Sequence, residues 1–372
     1  MGAEMEWYTI NGVESIDTPA LIIFKDRVIH NIKLALSFVE NDPNRLRPHV
    51  KTHKTKEVSK LLIENGITKF KCATISEAEM LAMCGAPDIL LAYQPTGPKL
   101  QRFIELIKKY PASIFSCLAD NLVNVKEMSD KANENALTIN IFLDLNVGMN
   151  RTGIAPGDNA IEICVASTVL PGLKIKGLHA YDGHIRMSDL PERERICDLA
   201  FLQVEKMMNE LSKRGLADLV IVAGGSTTFP IHSKRKNVEC SPGTFVYWDK
   251  GYQINYPEQH FLPAAIVITR IISQPDKNKF CLDLGHKSIA AENELKERVY
   301  FINAPDIKFV SQSEEHLVIE NNGTPYKTGE IFYGIPVHVC PTSALYERGI
   351  VVQQNEVIEE WKIIARDRKI TI

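Results

Sequence analysis

The stretch R-P-H-V-K-T-H-K at residues 47–54 contains the side chain with the clearest chemical potential, the amine of Lys51. The apolar spacing predicts a strand that ends here, and a lysine held near fixed dipoles can be tuned to form a Schiff base with an aldehyde. If the strand runs through, alternation places His49, Lys51 and His53 on one side. Groups that can all carry positive charge lower each other's proton affinity, which favours the neutral amine. The stretch therefore predicts a nucleophilic lysine.

A glycine-rich turn, G-G-S-T-T at residues 224–228, follows the apolar run 219–222. Glycines let backbone N–H groups approach a phosphate, and hydroxyls add further donors. Such turns occur at many strand ends. This one lies on the predicted seventh strand, where barrels frequently bind phosphate, and that position carries the argument. The candidate phosphate ligands are Gly224, Gly225, Ser226 and Thr227.

Polar side chains also follow the predicted fifth and sixth strands. Arg151 lies in D-L-N-V-G-M-N-R-T-G at residues 144–153, and H-A-Y-D-G-H at 179–184 contains Tyr181 and His184. In a barrel, function collects at the carboxyl ends of the strands. An arginine there can stabilise an oxyanion. His184, in a loop where substrate should enter, is the candidate acid/base because imidazole titrates near neutral pH.

A histidine and a cysteine two positions apart, His338 and Cys340, form a further chemical signal. We expect a strand at 336–339, on which residues i and i+2 point the same way and can hold one ion. Structural metal sites usually need four ligands, so the pair alone is also typical of a buried cysteine beside a packed histidine.

Short apolar runs alternate with helical patterns between residues 18 and 248, which predicts a parallel (β/α)8 TIM-type barrel. An open doubly wound sheet is the alternative, but its G-x-G-x-x-G fingerprint is absent after the first strand. A lead-in strand is expected at Ala20–Phe24. The predicted barrel strands are 46–50, 69–73, 88–92, 113–117, 138–144, 173–180, 218–223 and 243–247.

After about residue 257 the pattern changes to closely spaced β-branched runs with little helical periodicity. This change indicates a smaller, mainly β domain after the barrel. We predict a cofactor-binding barrel over residues 18–255 and a β domain, carrying the metal pair, over residues 256–372.

The composition excludes several classes of protein. The chain has 372 residues and a net charge of −3 with dispersed Lys and Arg, which argues against a nucleic-acid or anionic-membrane surface. No apolar run approaches the roughly 18 residues of a membrane span, and residues 1–10 lack the apolar region of a signal peptide. The eight cysteines are scattered without a C-x-x-C pair, which is typical of reduced thiols. We expect a cytoplasmic protein.

Taken together, these motifs resemble those of the D-threonine aldolase and D-serine dehydratase family. The members are pyridoxal-phosphate enzymes whose barrel is shared with alanine racemase (fold type III). The resemblance implies that Lys51 carries the cofactor, that Arg151 lies beside its phenolic oxygen and that Tyr181 lies near its pyridine ring. It also implies that the glycine turn holds the phosphate, that residues 1–17 return to the β domain as an extra strand, and that the protein is a homodimer.

The resemblance also bears on the reaction. The dehydratases carry H-x-C binding zinc, whereas the aldolases typically show H-x-D with a harder metal, so Cys340 implies zinc, with manganese as the alternative. The expected function is that of a metal-dependent lyase on D-β-hydroxy amino acids, either a D-serine or D-threonine dehydratase or a D-threonine aldolase. Two alternatives stay open: a pyridoxal-phosphate-dependent amino-acid racemase, which needs no metal, and a non-catalytic cofactor carrier.

Overall fold

The computed structural model describes residues 6–321 and 323–372. They form two compact units, one of residues 35–51, 59–243 and 367–372, the other of residues up to 34, 52–58 and 244–366. The helices are α1 Lys25–Phe38, α2 Lys56–Glu64, α3 Ile75–Met83, α4 Pro98–Lys109, α5 Leu122–Glu134, α6 Asp158–Ser167, α7 Leu190–Lys213, α8 Phe229–His232, α9 Lys250–Asn255 and α10 Val339–Leu345. Nowhere in the described ranges is a helix both long and apolar enough to cross a membrane.

The strands alternate with helices in the first half of the chain and follow each other closely in the second. They are β1 Ala20–Phe24, β2 Lys69–Cys72, β3 Asp88–Leu91, β4 Ile114–Ala119, β5 Ile139–Leu145, β6 Leu173–Ala180, β7 Val220–Ala223, β8 Val238–Cys240, β9 Ala265–Asp276, β10 Lys279–Leu282, β11 Val299–Phe301, β12 Lys308–Gln312, β13 Leu317–Glu320, β14 Ile331–Pro336, β15 Arg348–Gln353 and β16 Glu356–Lys362.

In the first unit, strands β2 to β8 form a parallel sheet in sequence order. Both faces of such a sheet are covered, so its strands are continuous apolar runs rather than alternating ones. Leu90, Leu118, Phe142 and Val222 from four of the strands pack together as a buried cluster. This arrangement confirms the predicted strand–helix alternation.

The segment 46–50 closes this sheet into a barrel. On one side, the backbone N–H groups of Arg47 and His49 donate to the carbonyls of Cys240 and Pro242, each at 2.9 Å. On the other, Val50 N–H donates to the Lys71 carbonyl at 2.9 Å, and Lys71 N–H donates to Pro48 at 2.8 Å. The segment therefore occupies the place of the first barrel strand, as predicted, and ends directly before Lys51.

The predicted eighth strand at 243–247 is wrong. The last barrel strand is β8, and residues Thr244–Val246 form a 3-10 helix. Every residue of 243–248 is buried. A short buried apolar run does not show by periodicity whether it is a strand or a helical turn, which explains the error.

Among the described residues, nine strands form a mixed sheet in the second unit, in the order β12-β13-β10-β9-β1-β15-β16, with β14 paired to β9 and β11 to β14. The mainly β character predicted for the end of the chain is confirmed. The strand β1, expected to lead into the barrel, pairs here instead, antiparallel to β9 and parallel to β15. All of its residues are buried, and an apolar run of this kind does not reveal which sheet it joins.

The predicted extra strand at residues 1–17 lies partly outside the described residues, which begin at residue 6. Residues 6–17 contain a 3-10 helix, Val13–Ser15, and no strand. Tyr8, Ile10 and Ile16 pack in the core beside β1 and β9. The strand that this end of the chain adds to the sheet is therefore β1.

Candidate active site

A cavity of about 520 Å³ lies at the carboxyl ends of the barrel strands. It is lined by residues that come directly after, or at the last positions of, the segment 46–50 and strands β2 to β6. The charged and aromatic lining residues that matter most are Lys51, Lys71, Asp144, Arg151, His179 and Tyr181.

The predicted nucleophile lies in this cavity. Lys51 is half-buried, and its side chain makes no hydrogen bond to any described residue. His49 also lines the cavity, but His53 does not, because the chain turns at residues 50–53 instead of continuing as a strand. His53 is fully buried, its Nδ1 accepts from Thr55 N–H at 3.2 Å, and burial lowers its pKa to about 3. The expected one-sided alignment of three cationic groups is therefore wrong.

Lys71, on β2, is a second lysine in the cavity and was not predicted. It is 1% exposed, and its ammonium lies 5.5 Å from the centre of the Tyr181 ring. Burial, followed by the positive charge of Lys51, lowers its pKa to about 7. The strand reads K-F-K-C, with a second lysine two positions earlier, so its pattern does not mark Lys71 as a buried cation.

Asp144 and His179 form a buried pair on adjacent strands of the cavity wall. His179 Nδ1 and Asp144 Oδ1 are 2.7 Å apart, while Nε2 has no hydrogen-bond partner among the described residues. Burial raises the pKa of Asp144, but the hydrogen bond from His179 and the charge of Arg151 outweigh it and lower that pKa below its ordinary value. Burial lowers the pKa of His179, so the neutral ring is favoured.

Arg151 and Tyr181, both predicted to bind the cofactor, lie close together. The guanidinium carbon lies 5.1 Å from the centre of the Tyr181 ring, a cation–π distance. Both side chains line the cavity. Arg151 makes no hydrogen bond to a described residue, so its donors are available to an anion.

The glycine turn follows β7 and lies against Tyr181. Gly224 has a φ of +77°, which favours glycine, and a Cβ on Gly225 would lie 3.0 Å from the Tyr181 ring. Ser226 Oγ accepts from Gly243 N–H at 3.2 Å. Thr227 Oγ1 is buried and has no hydrogen-bond partner among the described residues. The turn thus contains a buried hydroxyl without a partner in the described chain, although residues 224–227 are not among those that line the cavity.

Behind this turn, Asp182, Cys197 and His232 form a buried cluster whose atom types could hold a metal ion. His232 Nε2 lies 2.8 Å from Asp182 Oδ2, and Arg235 Nη1 lies 3.0 Å from His232 Nδ1. Arginine can only donate, so Nδ1 accepts and the proton is on Nε2. With both nitrogens engaged, the ring has no lone pair for a metal. We therefore interpret the cluster as a hydrogen-bonded brace, which also holds Thr228 Oγ1 on Asp182 Oδ1 at 2.8 Å.

His184, the predicted acid/base, is not among the residues that line the cavity. It is half-buried, and its ring packs against Gly148, where a Cβ would lie 2.6 Å from Nε2. Its Nδ1 has no hydrogen-bond partner in the described part of the chain. The role of His184 stays a prediction.

The second unit contains the predicted metal pair. His338 precedes helix α10 and Cys340 lies in its first turn, so the strand predicted at 336–339 ends early, at Pro336. Pro341 is compatible with the helix, because proline is tolerated in the first turn. His338 nevertheless contacts Cys340 and hydrogen-bonds to Glu292. Burial lowers the His338 pKa, but Cys340, Glu292 and Asp249 outweigh it and raise that pKa to about 9.

Comparisons with known proteins agree with this geometry. The family model "Alanine racemase, N-terminal domain" matches residues 23–250, and "Putative serine dehydratase domain" matches residues 264–352. The 3-hydroxy-D-aspartate aldolase of Paracoccus denitrificans (strain Pd 1222) is 26% identical over 366 residues, which cover 95% of this chain and 93% of that protein. The D-threonine aldolase of Arthrobacter sp. is 26% identical over 362 residues, covering 94% and 93%.

A solved structure shows the same fold. The crystal structure of D-threonine aldolase from Filomicrobium marinum has a TM-score of 0.88 and 25% identity, covering 95% of this chain and 96% of that one. The predicted fold class, a barrel with a mainly β second domain, is thereby confirmed. The chain belongs to the alanine racemase-like family of pyridoxal-phosphate barrels that includes the D-threonine aldolases and D-serine dehydratases.

Proposed function

We propose that this protein is a pyridoxal-phosphate- and metal-dependent lyase that acts on D-amino acids with a β-hydroxyl group. The observation that carries the proposal is the barrel cavity, in which an amine, a guanidinium and an aromatic ring (Lys51, Arg151 and Tyr181) meet at the strand ends. Relatives of this chain act on D-threonine and 3-hydroxy-D-aspartate according to their names, and both compounds carry that hydroxyl.

The residues of the cavity fit pyridoxal phosphate. Lys51 offers an amine without a hydrogen-bond partner in the described chain. Thr227, in the glycine turn, offers a buried hydroxyl that also has no partner there. When bound through Lys51, the cofactor supplies a conjugated ring that accepts the electron pair left at the α-carbon. Thr227 Oγ1 would donate to the phosphate beside Gly225, whose own N–H donates to Thr228 Oγ1 at 3.3 Å, and Arg151 would stabilise an oxyanion.

Proton handling falls to the imidazoles and amines of the cavity. The hydrogen bond from Nδ1 to Asp144 fixes the orientation of the His179 ring, and its Nε2 is buried without a hydrogen-bond partner among the described residues. A neutral ring held in this way can accept or return a proton at a bound ligand. His184 remains the second candidate for this role, from the loop after β6.

The metal would be held by His338 and Cys340, with Glu292 as a neighbouring carboxylate. A thiolate and an imidazole favour zinc over magnesium or calcium, and two protein ligands leave open positions. A zinc ion there would act as a Lewis acid for the β-hydroxyl group, which both dehydration and retro-aldol cleavage require.

Incubation with D-threonine separates the two reactions. Dehydration gives 2-oxobutanoate and ammonia, whereas retro-aldol cleavage gives glycine and acetaldehyde. The H-x-C segment resembles that of the dehydratases rather than the H-x-D of the aldolases, so we expect 2-oxobutanoate to dominate. If neither product forms with zinc or manganese present, and α-proton exchange occurs with both enantiomers of an amino acid, the protein is a racemase and the proposal is wrong.

The cofactor is tested by absorbance. The purified wild-type protein should show a band near the edge of the visible range that disappears in Lys51→Ala. The matched control is Lys56→Ala, at the start of α2, which should keep the band. A band of equal strength in Lys51→Ala would contradict the assignment of that amine.

The metal is tested by chelation. Removal of metal should abolish lyase activity and leave the cofactor band unchanged, and zinc should restore the activity. The variants His338→Ala and Cys340→Ala should need more zinc for half-maximal activity, because each removes one of two ligands. Full activity after exhaustive chelation would exclude a metal from the reaction.

A further inference from the structure

Two buried cations of the barrel differ in a way that demands explanation. Arg47 is 2% exposed and is neutralised on both sides, with Nη1 2.7 Å from Asp88 and Nε 2.7 Å from Glu239. Lys71, on the neighbouring strand, is 1% exposed, and its side-chain ammonium forms neither a hydrogen bond nor an ion pair with any described residue. A buried charge without a partner is costly, so proteins rarely retain one unless a ligand completes it.

The carboxylates that lie near Lys71 already have other partners. Asp144 bonds to His179, and Asp182 bonds to His232 and Thr228. Both attract Lys71 from a distance, while Lys51 and Arg47 repel it. No anionic group of the described protein is therefore available to pair with this ammonium.

The cavity as a whole has an excess of unpaired positive charge. The side chains of Lys51, Lys71 and Arg151 line it and make no hydrogen bond to a described residue. Of its carboxylates, Asp144 is taken by His179, and Asp120 accepts from Gly153 N–H at 3.1 Å. These three cations are matched by only two carboxylates, so an anionic occupant would be favoured.

We propose that Lys71 is an oxyanion-binding residue of the active site, whose ammonium is completed by an ionised oxygen of the ligand that fills the cavity. This inference rests on the proposed function, which offers two sources for the oxygen: the phenolic oxygen of pyridoxal phosphate and the α-carboxylate of the amino acid. The Tyr181 ring, 5.5 Å from the ammonium, covers it on one side and leaves the cavity side for that oxygen.

The ionisation of Lys71 agrees with this role. Burial lowers the pKa of the Lys71 amine to about 7, so near neutral pH the proton is held weakly. An oxyanion beside the amine would stabilise the ammonium form, and binding would then draw a proton onto Lys71.

The test compares Lys71→Met with the wild type in two binding assays. The dissociation constant of pyridoxal phosphate reports on the phenolic oxygen. The dissociation constant of D-alanine for the cofactor-loaded protein, measured from the change in the visible band, reports on the carboxylate. A hydrogen bond to a buried charge corresponds to roughly 10- to 100-fold in affinity, so one of the two constants should rise by that factor. The assay that changes identifies the source of the oxygen. If both constants stay within about twofold of the wild type, Lys71 does not bind an oxyanion.

A second readout uses the cofactor-free protein. Lys71→Met removes an unpaired buried cation and should raise the midpoint of thermal unfolding, and Lys71→Gln should do the same in milder form. Lys176→Met, a β6 lysine outside the cavity, is the control and should change neither stability nor binding. If both Lys71 variants are less stable than the wild type, the ammonium is already paired in the free protein and the inference is wrong.

The two proposals fail in distinguishable ways. A wild-type protein that shows no cofactor band overturns the proposed function and this inference with it. A wild type that binds pyridoxal phosphate and D-alanine, with Lys71 variants that bind both equally well, overturns the inference alone.

Discussion

Two aspartate–histidine pairs of the barrel consist of the same residue types but have different roles. In the cavity pair, Asp144 and His179, one carboxylate fixes the ring and Nε2 has no partner in the described chain. In the brace pair, Asp182 and His232, the ring is bonded on both nitrogens and the carboxylate also holds Thr228. The two pairs differ in whether a ring nitrogen lacks a hydrogen-bond partner. A ring with such a nitrogen beside a cavity is available for chemistry, whereas a ring with both nitrogens bonded contributes to stability.

The largest effect is expected from breaking the brace pair. His232→Ala leaves the Asp182 carboxylate buried with Thr228 as its main remaining partner. Removal of one partner of a buried pair typically costs about 3–5 kcal/mol, so urea unfolding should show a loss of that order. A loss below about 1 kcal/mol would mean that water takes the place of the ring and bonds to Asp182.

The cavity pair should respond in activity more than in stability. His179→Gln removes a ring that lines the cavity and whose Nε2 has no partner in the described chain, and the loss of an acid/base group lowers turnover by about 100-fold or more. Its unfolding free energy should fall less than that of His232→Ala, because water and ligand can enter the cavity beside Asp144. His232→Gln is the matched control. Should the two glutamine variants lose stability and turnover in equal measure, the distinction between the pairs would not hold.

The two threonines of the glycine turn repeat the comparison on a smaller scale. Thr228→Val removes the hydroxyl that donates to Asp182 and accepts from Gly225 N–H, and should cost about 1–3 kcal/mol of stability. Thr227→Val removes a hydroxyl without a partner in the described chain and should leave stability nearly unchanged. It should instead weaken pyridoxal phosphate binding, measured by titration of the visible band. The reverse assignment would exclude Thr227 as a phosphate ligand.

The sequence predicted the parts of this site that depend on local pattern. Strand–helix alternation located the cavity at the strand ends, and the motifs identified Lys51, Arg151 and Tyr181, which all line it. It did not identify Lys71, because an isolated lysine in a strand gives no sign of which partners the fold will bring to it. It also did not separate His179 from His232.

The errors in the fold have the same origin. The runs at 243–247 and 336–339 were assigned to strands, yet the chain forms a 3-10 helix at Thr244–Val246 and begins α10 at Val339. Short apolar stretches are compatible with both conformations, and long-range packing decides between them. The strand β1 was found at the right residues and assigned to the wrong sheet, because strand pairing is a long-range property.

The smallest expected effect is a difference between the pairs in their response to acid. Burial lowers the pKa of His179 below 6.5, so in the range just below that value the unfolded chain binds a proton that the folded ring does not. The contribution of His179 to stability therefore falls as the pH drops from about 6.5. The pKa of Asp182 is also lowered, because its bonds to His232 and Thr228 outweigh burial, but its reference value is 3.8. Its contribution is complete above that pH and is lost only as the pH falls below it.

Urea unfolding at stepped pH measures both contributions. The difference in unfolding free energy between the wild type and His179→Gln should shrink below about pH 6.5. The difference between the wild type and Asp182→Asn should stay constant until about pH 4. If both differences began only near pH 4, the pKa of His179 would not be lowered in the folded protein, and its assignment as a neutral ring would be wrong.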